Sequence, residues 1–173
     1  LEASYHIEGH RQTVKTGTGD KAYTRSGVLP TPVFSDTHKP YPMLRYPWSD
    51  TKQALQTLAA DQPALECVQV KYVNPVTGDD AENILGFYAL MLRPGQTLKL
   101  PARSPACVFH VIEGGAQVQV NDQQFKLDEA DTCCAPGYTP VTLTNTRADQ
   151  PSFVFMADES PLHRKLGLYE VRD

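Results

Sequence analysis

Two stretches of this chain hold turn-forming and chemistry-bearing residues at fixed intervals. Gly95, Pro101, Arg103, Cys107 and Gly114 make the first set, and Ala130, Pro136, Tyr138, Val141 and Asn145 the second. A thiol and a guanidinium stand four residues apart in the first. A first-row metal would need several imidazoles, often with a carboxylate, and catalytic sites use about three protein ligands. Pro101 and Val141 have no lone pair to offer. Arg103 brings a fixed positive charge that repels a cation. Cys107 alone could ligate, so Pro101, Arg103, Cys107 and Val141 together predict no metal site here. If Arg103 points inward, it is an expensive charge unless paired. Glu113, Asp131 or another carboxylate would satisfy it, or it would bind a small organic anion.

His110 lies in the same stretch and suggests a Cys107–His110 metal site. Strand parity opposes that pairing, because successive side chains face opposite sides. With Cys107, Phe109 and Val111 pointing inward, Val108, His110 and Ile112 point outward, unless a bulge at 108–109 intervenes. His6, Glu8 and His10 would share a face of an extended segment, but terminal segments are usually mobile and solvated. His38 and His163 carry no clear signal. Cys67, Cys107, Cys133 and Cys134 lack zinc-type spacing and are expected as buried or half-buried free thiols, the adjacent pair facing opposite ways.

These groups need a framework, and the pattern is mostly β. Residues 49–60 read as a helix capped by Ser49 or Asp50, with Ala54, Leu55, Leu58 and Ala59 as its apolar stripe. Asn74 to Asp79 is a turn. Strands are expected over 68–73, 84–92, 98–100, 108–112, 116–120, 125–127, 132–134, 141–145 and 153–156, with a hairpin at Asn121-Asp122. Many short strands separated by turns argue a sandwich or barrel. Ser160 to Leu168 reads as a short closing helix, capped by Ser160 with Pro161 in its first turn. Residues 1–40 are polar and turn-rich and read as an arm or interdomain linker, leaving 41–173 as the folded domain.

The 173 residues carry a net charge of −4. No clustered Lys/Arg face suits nucleic acid, and no apolar run approaches the roughly 20 residues of a membrane span. Free thiols fit a cytoplasmic protein. The start at Leu1-Glu2-Ala3 is not a natural one, and a missing upstream part is expected to hold the chemistry.

The two spaced sets resemble the paired motifs of the cupins. There the first motif carries two histidines and a glutamate where Pro101, Arg103 and Cys107 stand, and the second a histidine where Val141 stands. The resemblance implies an all-β, cupin-type barrel (a jelly roll) with a few short helices and an extended N-terminal arm. Three further segments resemble the second half of the gentisate 1,2-dioxygenase family of bicupin ring-cleaving enzymes: Tyr41-Pro42-Met43-Leu44-Arg45-Tyr46-Pro47-Trp48, Tyr72-Val73-Asn74-Pro75-Val76-Thr77-Gly78 and Lys165-Leu166-Gly167-Leu168. Salicylate and 1-hydroxy-2-naphthoate dioxygenases are close relatives of that family, and half of such an enzyme is the alternative parentage for this chain.

That resemblance implies a two-cupin parent. Fe(II) held by three histidines of the N-terminal cupin would bind gentisate and O₂ and open the ring in extradiol fashion to maleylpyruvate. The C-terminal cupin would hold no cofactor and no catalytic residue and would be inactive alone. Its partners would be the N-terminal cupin of the same polypeptide and further copies in a homo-oligomer, expected to be a tetramer, acting on an aromatic acid. A charge at Ile112 or Leu90 should then disturb assembly or folding. Tyr5 and Arg25 are the leader residues that could reach a neighbouring active site. The alternative of a different class is a stand-alone degenerate cupin binding a small organic anion through Arg103.

Overall fold

Residues 44–172 are described by a computed structural model. His6, Glu8, His10, His38, Tyr5, Arg25 and the arm assigned to residues 1–40 lie outside the described residues. Helix α1 (Trp48–Asp61) comes first, followed by β1 (Val68–Lys71), β2 (Gly86–Leu92), β3 (Thr97–Leu100), β4 (Ala102–Arg103) and β5 (Cys107–Glu113). Then come β6 (Gly115–Val120), β7 (Gln123–Asp128), β8 (Thr132–Ala135), β9 (Val141–Asn145) and β10 (Ser152–Asp158). Helix α2 (Ser160–Leu166) and β11 (Val171–Arg172) close the chain.

The strands form an antiparallel five-stranded sheet in the order β1-β2-β10-β5-β8, a four-stranded sheet in the order β3-β9-β6-β7, and the short pair β11-β4. Alternate residues of both large sheets fill one core. Leu90 and Leu92 from β2, Phe109 and Val111 from β5, Val118 from β6 and Leu143 from β9 are completely buried there. The period of two along each strand makes this possible, since every second side chain faces the core.

The opposite face of the five-stranded sheet is partly covered by α1. Leu55 packs on Val68, Ala89, Met91 and Phe153, with Leu58, Ala59 and Ile112 alongside. Thr51 shares the buried face and Ala54 is exposed, so at its N-terminal end the stripe uses Thr51 in place of the expected Ala54. The helix has no side-chain cap: Pro47 occupies the N-cap position, and the expected Ser49 and Asp50 caps do not form. Leu90 belongs to the inner core, so a charge there tests folding rather than assembly.

The turns follow the sequence closely. Asn121 adopts φ 53° in the β6–β7 hairpin, as a tight turn with a left-handed position requires. Asn74 Oδ1 accepts the Val76 N–H at 2.9 Å in the turn before Gly78. The strand expected from Ile84 begins instead at Gly86, because Glu82 Oε2 takes the N–H groups of Ile84 (2.6 Å) and Leu85 (3.0 Å) and holds them in a loop.

The four motif positions that are glycine in the cupin pattern all keep a left-handed backbone: Gly95 at 64°, Gly114 at 93°, Ala130 at 70° and Tyr138 at 58°. Two of them keep it without glycine, against the usual steric preference. The frame of turns has therefore outlasted the residue type that makes it easy. At Gly114 glycine is indispensable, since a Cβ would lie 2.5 Å from Ser152 Oγ and 3.1 Å from Ser152 Cα. Asn145 ties the same end together. Its Nδ2 donates toward the carbonyls of Leu92 (3.2 Å), Arg93 (3.0 Å) and Gln150 (2.9 Å). Its Oδ1 accepts the Arg147 N–H at 2.9 Å and lies 2.7 Å from Ser152 Oγ.

Candidate functional site

Pro101, Arg103, Cys107 and Val141 do converge. They line one small cavity of about 10 Å³ together with Phe109 and Pro136, space for about one water. The convergence is a property of the strands. Cys107 begins β5 and Val141 begins β9, while β4 delivers Arg103 from the rim, fixed by its pairing with Val171. The Arg103 carbonyl also accepts the Tyr138 N–H at 2.5 Å, tying the first set of spaced residues to the second.

The Arg103 guanidinium points into this end of the barrel and is 16% exposed. Nη1 donates to Asp158 Oδ2 at 3.0 Å, and Nη2 lies 3.1 Å from Cys107 Sγ and 3.8 Å from Met156 Sδ. The Asp158 carboxylate is completely shielded from solvent. Its second oxygen accepts the N–H of Ser160 at 2.9 Å, at the start of α2. Burial works against the Arg103 charge. Cys107, Asp158 and a hydrogen bond with Tyr169 outweigh it and leave the guanidinium a stronger base than usual. Burial pushes the Cys107 thiol up, with Arg103 opposing and Asp158 adding to the rise. Cys107 is thus a neutral thiol beside a permanent cation.

This donor set does not fit iron. Two of the four ligand positions have no donor atom, one carries a cation, and the last is a thiol held protonated. Among the described residues no group of three or more His, Cys, Asp and Glu side chains is placed to hold a metal. His110 faces outward as its parity requires, half-buried, with Nδ1 2.9 Å from Thr132 Oγ1. The one bulge between β5 and β10 falls beside Ile112, too late in the strand to turn His110 inward.

The partner of Arg103 is Asp158, neither of the carboxylates singled out by sequence. Glu113 is engaged by Trp48 and Lys52, and Asp131 accepts the Asp128 N–H in a turn. A local signal could have found Asp158: the acidic pair Asp158-Glu159 ahead of Ser160-Pro161 is a helix-start signature, and its first member receives the Ser160 N–H. The expected Ser160 cap does not form: Ser160 is already helical and its buried hydroxyl has no partner, while Asp158 receives its N–H.

His163, without a signal in the sequence, stands in a polar chain. Its Nδ1 lies 2.9 Å from Ser104 Oγ and its Nε2 3.9 Å from Glu159 Oε2. The order resembles a hydrolytic relay, but Ser104 is buried and its oxygen already receives the Glu170 N–H at 3.1 Å. The chain joins α2 and the C-terminal segment to the loop after β4. Among the cysteines, Cys107 is buried and Cys134 exposed, against the expectation that all four are at least half-buried. Cys133 packs toward the core while Cys134 faces away, as adjacent strand residues must.

The chain is 70% identical to a gentisate 1,2-dioxygenase from Ralstonia sp. over 99% of its own length and 48% of that protein. It is 26% identical to a 5-aminosalicylate 1,2-dioxygenase from Comamonas sp., over 98% of this chain and 46% of the other. A crystal structure of salicylate 1,2-dioxygenase from Pseudoaminobacter salicylatoxidans superposes with a TM-score of 0.68 at 25% identity, covering 90% of this chain and 43% of that one. No protein-family model matches. The chain spans about half the length of the curated relatives it matches. The barrel is cupin-type, and its homologues are dioxygenases. No helix among the described residues is long and apolar enough to cross a membrane.

Proposed function

We infer that this chain belongs to the gentisate 1,2-dioxygenase family as its C-terminal cupin, a metal-free barrel that scaffolds the iron-bearing cupin of the same polypeptide. The parent would open the gentisate ring with O₂ to maleylpyruvate, in the cytoplasm, with Fe(II) in the N-terminal cupin. The identity to the Ralstonia enzyme supports gentisate over the salicylates as the aromatic acid. On this reading no reacting atom meets a side chain of this barrel, and the chain alone is inactive. The observation that carries it is the convergence of Pro101, Arg103, Cys107 and Val141 on a cavity with room for about one water, where Arg103 is already paired with Asp158.

Assembly into a homo-oligomer, a tetramer by resemblance to the family, is part of the same reading. It is supported by the outer face of the five-stranded sheet beyond α1. There Phe155 packs on Phe87 and Tyr72 with ring centroids 6.0 and 6.2 Å apart, and Val108 is exposed. The half-buried aromatic cluster and the exposed Val108 beside it give a partner apolar surface to cover.

The test is iron content after anaerobic Fe(II) loading and desalting, measured on this chain and on the polypeptide carrying both cupins. Near-zero iron here with near-equimolar iron in the parent is the expected result. Near-equimolar iron in this chain would overturn the metal-free assignment.

A further inference from the structure

The Arg103 guanidinium is surrounded as a bound cation would be. An anionic oxygen and two sulfurs lie within 3.0 to 3.8 Å of its terminal nitrogens. The donors come from neighbouring strands in fixed register. Cys107 on β5 stands directly opposite Asp158 on β10, and Met156 precedes Asp158 by two residues on the same face. Asp158 is aimed by its other oxygen, which the Ser160 N–H anchors. The small cavity beside Arg103 and Cys107 adjoins the set.

We propose that Arg103 is the resident cation of a site built from Asp158 Oδ2, Cys107 Sγ and Met156 Sδ, and that removing its guanidinium opens that site to a soft divalent cation. Three consequences of the geometry support this. Without Arg103 the buried Asp158 carboxylate is left without its counter-charge, a state that strongly favours recruiting another cation. A thiolate and a thioether select soft metals over hard ones. Deleting the side chain also enlarges the adjoining cavity. Metal entry would displace the Cys107 thiol proton to solvent, the thiolate then bonding the metal. The proposal stands apart from the functional reading above, because the latent site depends only on these four side chains and not on what the parent cleaves.

Cadmium(II) is the probe, since thiolate-to-cadmium charge transfer gives an ultraviolet band. The other thiols are removed first, as Cys67→Ser, Cys133→Ala and Cys134→Ser, so that any band reports Cys107. In that background the chain with Arg103 should show no band and no cadmium-dependent rise in melting temperature. Arg103→Ala should gain an equimolar band and a melting temperature that climbs with cadmium, as expected for a ligand of the folded state. Cys107→Ser added to Arg103→Ala should abolish both. Arg103→Ala that folds but gains no band, a band that survives Cys107→Ser, or equal cadmium binding with Arg103 in place would each overturn the proposal. If Arg103→Ala does not fold without metal, Arg103→Ala/Asp158→Asn removes the stranded charge and leaves the two sulfurs. A folded double variant with a weaker, Cys107-dependent band upholds the site, and one with no band overturns it.

Discussion

Trp48 and Glu113 lie 65 residues apart and meet at 2.6 Å, the indole N–H donating to Oε1. The other carboxylate oxygen takes Lys52 Nζ at 2.5 Å. Trp48 also meets the Phe153 ring edge-on at 5.4 Å, and Lys52 stands 5.2 Å over the same ring. One carboxylate at the end of β5 thus fixes the first turn of a helix that has no side-chain cap of its own. The hydrogen bonds from Lys52 and then Trp48 hold Glu113 below the usual carboxylate range, against a smaller effect of burial.

The sign of the resulting pH dependence follows directly. A carboxyl group whose folded pKa is lowered contributes stability above its unfolded value, near 4.3, and loses it as pH falls through the folded one. Glu113→Gln should therefore destabilise the chain at neutral pH by about 1 kcal/mol or less, since the group is over a third exposed and screened by solvent. The difference from the unmodified chain should shrink as pH drops below about 4. Urea melts at pH 7 and at about pH 3.5 check this, and a deficit that is equal at both would refute the charge argument.

The left-handed turns give a second prediction. Ala130 holds φ 70° at a place where glycine would be relaxed. Ala130→Gly should be neutral to stabilising, by up to about 1 kcal/mol, because relief of the left-handed strain offsets the extra entropy of the unfolded glycine. Gly114→Ala should cost at least about 2 kcal/mol, combining φ 93° with a clash against Ser152. Thermal melts of both variants report opposite shifts if the frame argument is right. A destabilised Ala130→Gly would place the value of Ala130 in contacts of its methyl group instead.

The strand positions, the hairpin and the inward face of β5 were readable in the sequence because they rest on local periodicity and turn chemistry. The partners of the charged residues were not. Glu113 was a candidate for Arg103, yet it answers Lys52 and Trp48, while Asp158 answers Arg103. Which carboxylate reaches which cation depends on β10 lying between β2 and β5, and antiparallel neighbours distant in sequence leave no local mark of that order. The caps failed for a related reason. Ser49 and Asp50 suit a helix start chemically, but the chain enters the helix one residue earlier, at Trp48, where the contact with Glu113 decides the boundary.

The outer face of the five-stranded sheet separates assembly from folding better than Leu90 does. Val108 is exposed there, next to Cys134 on β8 and Ala157 on β10. Val108→Asp should change the melting temperature of the isolated chain by little, as surface substitutions usually fall within about 0.5 kcal/mol. If this face is an interface, the same change in the two-cupin parent should reduce the oligomer size seen by sedimentation. An unchanged sedimentation profile would move the interface elsewhere.

Arg103 and Asp158 should behave as a unit in a double-mutant cycle. Removing one partner of a buried pair strands the other charge and costs about 3–5 kcal/mol, whereas replacing both with neutral groups of similar size is often far milder. Arg103→Met alone should thus be strongly destabilising, and Asp158→Asn alone nearly as much. The double variant should recover most of the loss. The amide of Asp158→Asn keeps an oxygen for the Ser160 N–H, and the thioether of Arg103→Met fills the space beside Cys107 and Met156. The interaction free energy from urea melts should be at least about 2 kcal/mol, at the upper end of values for contacting residues. Additive single effects would mean that the two charges are not coupled, and that the 3.0 Å contact contributes little to holding this end of the barrel.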